Sequence, residues 1–174
     1  MTNNLRYKEL DFSKPQDKRI MNRIISFDKN KNCFGDYDFY EVADDYINLA
    51  IYSKRTLIGY LGIYYTDSIY YSEKGKYTIT ICLREEYQSK GLGNIILKQT
   101  IRTLFSNYRA KSIDIEIIED NEKCNRLALK NNFNKDVEDT FLRDGNYVKS
   151  VHYIYTDEEY ERDKNKLKVY EKII

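Results

Sequence analysis

The chain has 174 residues, with 29 basic against 28 acidic side chains, one histidine, one proline and no tryptophan. That composition describes one globular domain and excludes a repeat array, a collagen or a disulfide-stapled mini-protein. A formal net charge of +1 supplies no global field to draw the protein onto nucleic acid or an anionic membrane, so specificity has to come from a site.

With 41% apolar residues and 18 tyrosines, the chain can bury about 70% of its unfolded surface as one core. Cys33, Cys82 and Cys124 are odd in number and widely spaced, without any Cys-x-x-Cys or Cys/His pattern, and read as reduced thiols. The N-terminus MTNNLRYKELDF lacks an apolar signal core, and no run approaches a membrane span, which predicts a cytoplasmic protein. A lone His152 rules out two- and three-histidine metal sites, no EF-hand-type loop is present, and no metal is expected.

In chain order, Leu5 to Leu10 alternates weakly as a first strand, and Ser13-Lys14-Pro15-Gln16 reads as a Ser/Gln capping box with an early proline. Ile20, Met21, Ile24 and Ile25 follow at helical spacing, then a polar loop from Asp28 to Asn32. Phe39, Val42, Ala43 and Tyr46 predict a second short helix. The stretches Ile47 to Tyr52 and Leu57 to Tyr65, joined by the turn Ser53 to Thr56, predict a hairpin. A Tyr-rich loop from Asp67 to Lys76 leads into Tyr77 to Leu83, the clearest strand in the chain.

That strand runs into Arg84-Glu85-Glu86-Tyr87-Gln88-Ser89-Lys90-Gly91-Leu92-Gly93, after which Ile95, Ile96, Ile101, Leu104 and Phe105 set a helix over Leu92 to Phe105. Further on come a strand from Ile113 to Ile118, a helix from Asn121 to Asn131 with Leu127 on its buried side, and strands Val137 to Leu142 and Tyr147 to Tyr155 flanking the turn Arg143 to Asn146. The segment from Asp157 is charged and helical, with Tyr160, Leu167, Tyr170 and Ile174 as a narrow apolar stripe. The expected organisation is therefore a domain over 1–156 and a charged helical tail over 157–174.

A turn with Gly91 and Gly93 opening a helix gathers unsatisfied backbone N–H groups at the positive end of the helix dipole, and such a point binds phosphate. Glycine there permits close backbone approach and the required φ, and Lys90 adds a full charge. A glycine pair of this kind also serves simply to cap or redirect a helix. No Gly-x4-Gly-Lys-Ser/Thr occurs, which excludes a P-loop kinase or ATPase, and the glycine pattern of a dinucleotide fold is absent.

The element order, with Gln88-Ser89-Lys90-Gly91-Leu92-Gly93 and, downstream, Asn121-Glu122-Lys123-Cys124-Asn125-Arg126-Leu127-Ala128-Leu129-Lys130-Asn131-Asn132-Phe133, resembles the GNAT superfamily of acyl-CoA N-acyltransferases over about residues 5 to 156. The first segment is similar to the superfamily's Gln/Arg-x-x-Gly-x-Gly/Ala turn. The second is similar to Asn-x-x-Ser/Ala ending in Lys/Arg-x-Gly-Phe, and its Asn125 and Ala128 look closest to the branch that acetylates ribosomal-protein N-termini.

The resemblance implies an α/β fold: one mixed, mostly antiparallel central sheet splayed between its fourth and fifth strands and flanked by helices. It also implies acetyl-CoA as co-substrate. Backbone groups near Ile81 and Leu83 would pair with pantetheine, the N–H groups of Gln88, Ser89, Lys90, Gly91, Leu92, Gly93 and Asn94 would hold the pyrophosphate, and Asn121, Asn125 and Lys130 would flank its far side. The partners implied are acetyl-CoA and an amine, either a small molecule or a protein N-terminus. No nucleic acid or membrane partner is expected, and a homodimer is allowed.

Acyl transfer from a thioester to an amine requires a neutral amine, a polarised carbonyl and a proton for the leaving thiolate. Relatives often place a Tyr just after the Leu of the second motif, where this chain has Ala128. Others place a Glu on the fourth strand, where it has Tyr77. In the ribosomal-protein branch a Ser of the second motif is a candidate proton donor to sulfur, and Cys124 occupies that position. Cys124 and Tyr77 are therefore the catalytic candidates, each with a packing role as its alternative. His152 is a candidate acceptor of the amine's proton through water, or a hydrogen-bonded structural residue. Glu85, where relatives often have proline, and Glu86 form a solvated shoulder.

The expected activity is acetyl transfer to a primary amine, a protein N-terminus, polyamine or other small amine, by direct attack in a ternary complex. A non-catalytic acyl-CoA-binding domain is the alternative, and an interaction protein on the same fold a third. Asp36, Asp38, Glu41, Asp44 and Asp45, with nearby tyrosines, would give an acceptor pocket an acidic, aromatic rim suited to a cation, or merely a solvated helix face.

Overall fold

In the computed structural model, residues 5–29, 32–34, 40, 46–65 and 75–173 are described. Among them are strands β1 (Leu5–Glu9), β2 (Tyr46–Ser53), β3 (Thr56–Tyr65), β4 (Lys76–Leu83), β5 (Ser112–Ile118), β6 (Asn134–Arg143) and β7 (Asn146–Thr156). The helices are α1 (Pro15–Ile25), α2 (Leu92–Asn107), α3 (Glu122–Lys130) and α4 (Asp157–Leu167). The strands follow the order β1-β2-β3-β4-β5-β7-β6 in one sheet, antiparallel in the β1/β2, β2/β3, β5/β7 and β6/β7 ladders and parallel between β4 and β5. The parallel ladder pairs Lys76 with Ser112, Tyr77 with Ile113 and Thr78 with Asp114. The expected α/β fold is present.

Two compact units divide the chain, one up to Tyr64 together with Ile79–Lys90, the other comprising Tyr65–Thr78 and Gly91 onward. In the first, Leu10, Met21, Ile24, Phe34, Ala50, Leu57, Tyr60 and Cys82 form the core. The buried Tyr60 hydroxyl donates to Asn48 Oδ1 at 2.7 Å, satisfying a polar atom that would otherwise be costly to bury. Gly59 lets β3 approach β4, because a Cβ there would lie 2.3 Å from the Cys82 carbonyl oxygen.

The expected Ser13/Gln16 capping box does not form. Lys14 is the N-cap and makes no side-chain cap bond, while Ser13 turns its N–H and hydroxyl back to Asp11 Oδ1 at 3.0 and 2.6 Å. Asp11 wins because an ionised acceptor two residues upstream makes a tight Asx turn. Asp17, 3% exposed, completes the entry by pairing with the Lys8 ammonium and accepting the Asp11 N–H at 3.1 Å. The expected helix over Phe39 to Tyr46 lies mostly outside the described residues, and Tyr46 itself opens β2. The Asp67 to Lys76 loop, up to residue 74, and the acidic rim residues also lie outside them.

In the second unit, Ile113, Ile117, Tyr153 and Tyr155 are buried. The Tyr155 ring lies 5.8 Å from Phe105 of α2 and 5.1 Å from Phe133. The hairpin turn takes Asp144 at φ +49 and Gly145 at φ +77, the two left-handed residues of a type I′ turn. α4 opens with a capping box between Thr156 and Glu159, its Tyr160 stacks on Phe105 at 4.7 Å, and its Leu167 is buried. Tyr160 and Tyr170 of the charged tail thus pack against α2. On α3 the fully buried residue is Ala128, with Leu127 only half-buried.

Candidate active site

The segment between β4 and α2 is built by short-range bonds. After Leu83, a single 3-10 turn over Glu85–Tyr87 is closed by Tyr87 N–H to the Arg84 carbonyl at 2.9 Å and Gln88 N–H to the Glu85 carbonyl at 3.1 Å. The Gln88 side chain reaches back, its Nε2 donating to the Leu83 carbonyl at 2.8 Å. Arg84 is fastened by its N–H to Ile58 O at 2.9 Å, by an ion pair with Glu86 at 2.6 Å, and over the Phe27 ring at 5.3 Å. Gln88 thus ties the strand end to the turn.

The backbone then reverses through Ser89 at φ +56 and Gly91 at φ +79, with Gly91 as N-cap of α2. A left-handed N-cap rotates successive N–H groups into one concave arc. The first bond back into the helix is Ile95 N–H to the Gly91 carbonyl at 3.2 Å, and among the described residues no carbonyl accepts from the N–H groups of Ser89 through Asn94. An added Cβ on Gly91 would meet no atom within 4 Å, so its φ alone calls for glycine. Buried Leu92, Ile96 and Leu97 anchor this helix end. Lys90 is exposed, with Nζ 5.7 Å from the Tyr87 ring.

Asn94 in the first turn of α2 is oriented by Asn131, whose Nδ2 donates to Asn94 Oδ1 and to the Leu127 carbonyl, both at 2.9 Å. Asn131 is 6% exposed and was not expected at the site; its position two residues before Phe133 was the available signal. Asn132, where relatives carry glycine, adopts φ +63, a conformation asparagine tolerates well.

Asn121 caps α3, its Oδ1 accepting the Cys124 N–H at 3.3 Å. Asn125 donates through Nδ2 to the carbonyls of Ile118, Glu119 and Asn121 at 3.1, 3.1 and 2.9 Å, and its Oδ1 accepts the Tyr153 hydroxyl at 2.8 Å. It clamps the β5–α3 corner. Cys124, half-buried, sits on the first turn of that clamped helix, and Lys130 is exposed on its last.

Tyr77 is 7% exposed, packs 5.1 Å from the Tyr65 ring, and donates its hydroxyl to the Tyr108 carbonyl at 3.3 Å. Burial raises its phenol above the ordinary value, helped by the neighbouring Tyr65 and Tyr108, so it stays protonated. The Ile81 carbonyl faces Cys33 Sγ at 3.5 Å, while that of Leu83 is taken by Gln88.

His152 lies on the face of the β5/β7 ladder opposite to Tyr153 and Tyr155. Its Nδ1 is 3.2 and 3.3 Å from the two Asp114 oxygens, and Nε2 is 3.9 Å from Glu116 Oε1. Burial raises the Asp114 carboxyl, the imidazole opposes that rise, and Glu116 and Asp136 add to it. Among the described residues no group of three His, Cys, Asp or Glu is arranged to hold a metal, and no helix is long and apolar enough to cross a membrane.

β4 thus leads through a left-handed turn into α2, whose first N–H groups bond to no carbonyl among the described residues, and β5 leads into α3 through a corner clamped by Asn125. Residues 17–133 match the acetyltransferase (GNAT) family, and the chain belongs to it. No curated protein sequence matches the chain. Among solved structures, spermidine N-acetyltransferase from Vibrio cholerae in complex with CoA and spermine superposes with a TM-score of 0.73 at 14% identity, covering 90% of this chain and 98% of that one. NAA60 from Arabidopsis thaliana, in complex with a bisubstrate analogue, gives 0.70 at 15%, covering 88% and 98%. The aminoglycoside acetyltransferase AAC(6')-Ib with coenzyme A gives 0.70 at 16%, covering 92% and 99%. At these identities the likeness establishes the fold.

Proposed function

We propose that the protein is an acetyl-CoA-dependent N-acetyltransferase that acetylates a primary amine, a protein N-terminus, a polyamine or another small amine, by direct attack in a ternary complex. The observation that carries this reading is the arc of N–H groups from Ser89 to Asn94, which no carbonyl among the described residues accepts, at the positive end of α2. Those donors hold the pyrophosphate of CoA and Lys90 adds a screened charge. The Gln88 N–H already bonds to Glu85, so the cradle proper begins at Ser89. Backbone groups near Ile81 and Leu83 are assigned to pantetheine, and Asn121 and Lys130 to its flank. Asn125 acts by fixing the corner from which Cys124 projects.

In the transfer, Cys124 is the candidate donor of a proton to the leaving sulfur, since a thiol is a competent if weak donor. The Tyr77 hydroxyl already donates to the Tyr108 carbonyl. Positioning of an activated thioester supplies much of the rate. Structural neighbours that include a spermidine N-acetyltransferase bound to CoA and spermine and an aminoglycoside acetyltransferase support an amine acceptor of the breadth stated. The test is release of free CoA from acetyl-CoA with spermidine, an unblocked tetrapeptide and an aminoglycoside. Turnover with at least one is expected, whereas tight CoA binding without turnover on any would favour a non-catalytic acyl-CoA-binding domain.

A further inference from the structure

We propose that Asp114 and His152 form a carboxylate–imidazole dyad in which His152 Nε2 takes the proton from the acceptor amine. The inference rests on the acetyl-transfer reading above and supplies the base which that reading lacks. Three features of the second unit carry it.

The first is the orientation of the imidazole. Asp114 stands diagonally across the β5/β7 ladder from His152, since the register pairs Asp114 with Ile154 and Glu116 with His152. A carboxylate accepts only, so Nδ1 carries the hydrogen toward Asp114 and Nε2 presents a lone pair. At 3.9 Å, Glu116 Oε1 is too far to hydrogen-bond Nε2, and Ser150 Oγ already donates to that carboxylate at 2.6 Å. Among the described residues nothing else engages Nε2, and the side chain is 28% exposed.

The second is location. The parallel β4/β5 ladder ends at the Thr78–Asp114 pair, so the dyad sits where the pairing of those two strands stops. The third is the face. Ile113, Tyr153 and Tyr155 fill the side covered by α2 and α4, while Asp114, Glu116, Ser150 and His152 occupy the other. The dyad therefore lies on the face of the β5/β7 ladder opposite to the one that packs on α2. Among the described residues the titratable groups facing His152 are Asp114 and Glu116 of β5, with Asp136 of β6 acting on Asp114; three carboxylates also favour approach of an ammonium group.

The ammonium loses one proton to Nε2, which passes it to solvent. The freed lone pair forms the C–N bond at the thioester carbonyl, the C–S bond breaks, and the thiolate takes a proton from the Cys124 thiol. The second proton of the amine restores that thiol. Atoms and charge balance, with one proton released per acetyl group.

The test follows kcat/KM for acetylation of spermidine and of an unblocked tetrapeptide from about pH 6 to about pH 9, with CoA-induced thermal stabilisation measured on the same proteins. His152→Gln is expected to lower kcat/KM about 10- to 100-fold, flatten the acid limb of the profile and keep the stabilisation by CoA. Asp114→Asn should cause a comparable loss, and combining the two should add little. Free imidazole should restore activity to His152→Ala, a response that a purely structural histidine would not give and one that holds even if the glutamine variant folds poorly. Wild-type kcat/KM and pH profile in His152→Gln overturn the dyad and leave acetyl transfer standing. A wild-type protein that binds CoA but turns over none of spermidine, the tetrapeptide and an aminoglycoside removes both.

Discussion

Replacing Gly91 separates the cost of folding from the cost of binding. Its φ of +79 lies where an L-residue costs about 1–2 kcal/mol, and an added Cβ touches nothing within 4 Å, so no steric cost adds to it. For a chain of 174 residues that corresponds to a fall in Tm of about 2–8 °C. Gly91→Ala and Gly91→Asp should both remain folded. A carboxylate about 4 Å from a phosphate, at an effective dielectric near 20, costs about 4 kcal/mol, or roughly a thousandfold in affinity. With CoA at about 100 times its Kd, the wild-type protein gains about 2.7 kcal/mol, a readily measured rise in Tm. Differential scanning fluorimetry of the three proteins with and without CoA should show the full rise for wild type, a reduced one for Gly91→Ala and none for Gly91→Asp. A folded Gly91→Asp protein with the full rise would refute the assignment of this turn.

Lys90→Ala should weaken CoA binding by about 1 kcal/mol or less, the effect shrinking as salt is raised; calorimetric titration at two ionic strengths checks it. Cys124→Ala should lower kcat about 10- to 100-fold with CoA affinity unchanged while Cys124→Ser keeps substantial activity, whereas a packing role would appear as a lower Tm with kcat near wild type. Burial would raise the Asp17 carboxyl, but the Lys8 ammonium and the Asp11 N–H overcome this and hold it below its ordinary value of 3.8. Its contribution to stability is therefore fully present above pH 3.8 and lost as the pH falls through the lower folded value. Asp17→Asn should cost about 2–3 kcal/mol in denaturant titrations at neutral pH, with the difference from wild type closing in acid; a difference constant to low pH would show that the charge contributes nothing.

The clearest features in the sequence were those set by neighbours in the chain. Tyr77 to Leu83, the glycines at 91 and 93 and the apolar period after Leu92 placed β4, the turn and α2 within two residues, because strand alternation, glycine turns and helical spacing are local signals. Ser13 misled because the competition between Ser13 and Asp11 is decided by charge, and Asp17 had to be seen folded back onto Asp11. The roles of Gln88 and Asn125 were visible as positions but not as bonds. Gln88 closes the turn onto Leu83, and Asn125 is held by Tyr153, 28 residues away. Likewise Asp114 and His152 are 38 residues apart and meet only through the β5/β7 register, which no local pattern encodes.

We propose that the N–H groups opening α2 hold the phosphates of CoA. A crystal structure of the protein with CoA tests it most directly. The expected result is pyrophosphate oxygens about 2.7–3.2 Å from backbone nitrogens between Ser89 and Asn94, with the thiol end directed toward Cys124. CoA bound elsewhere, with those N–H groups facing only solvent, would contradict it.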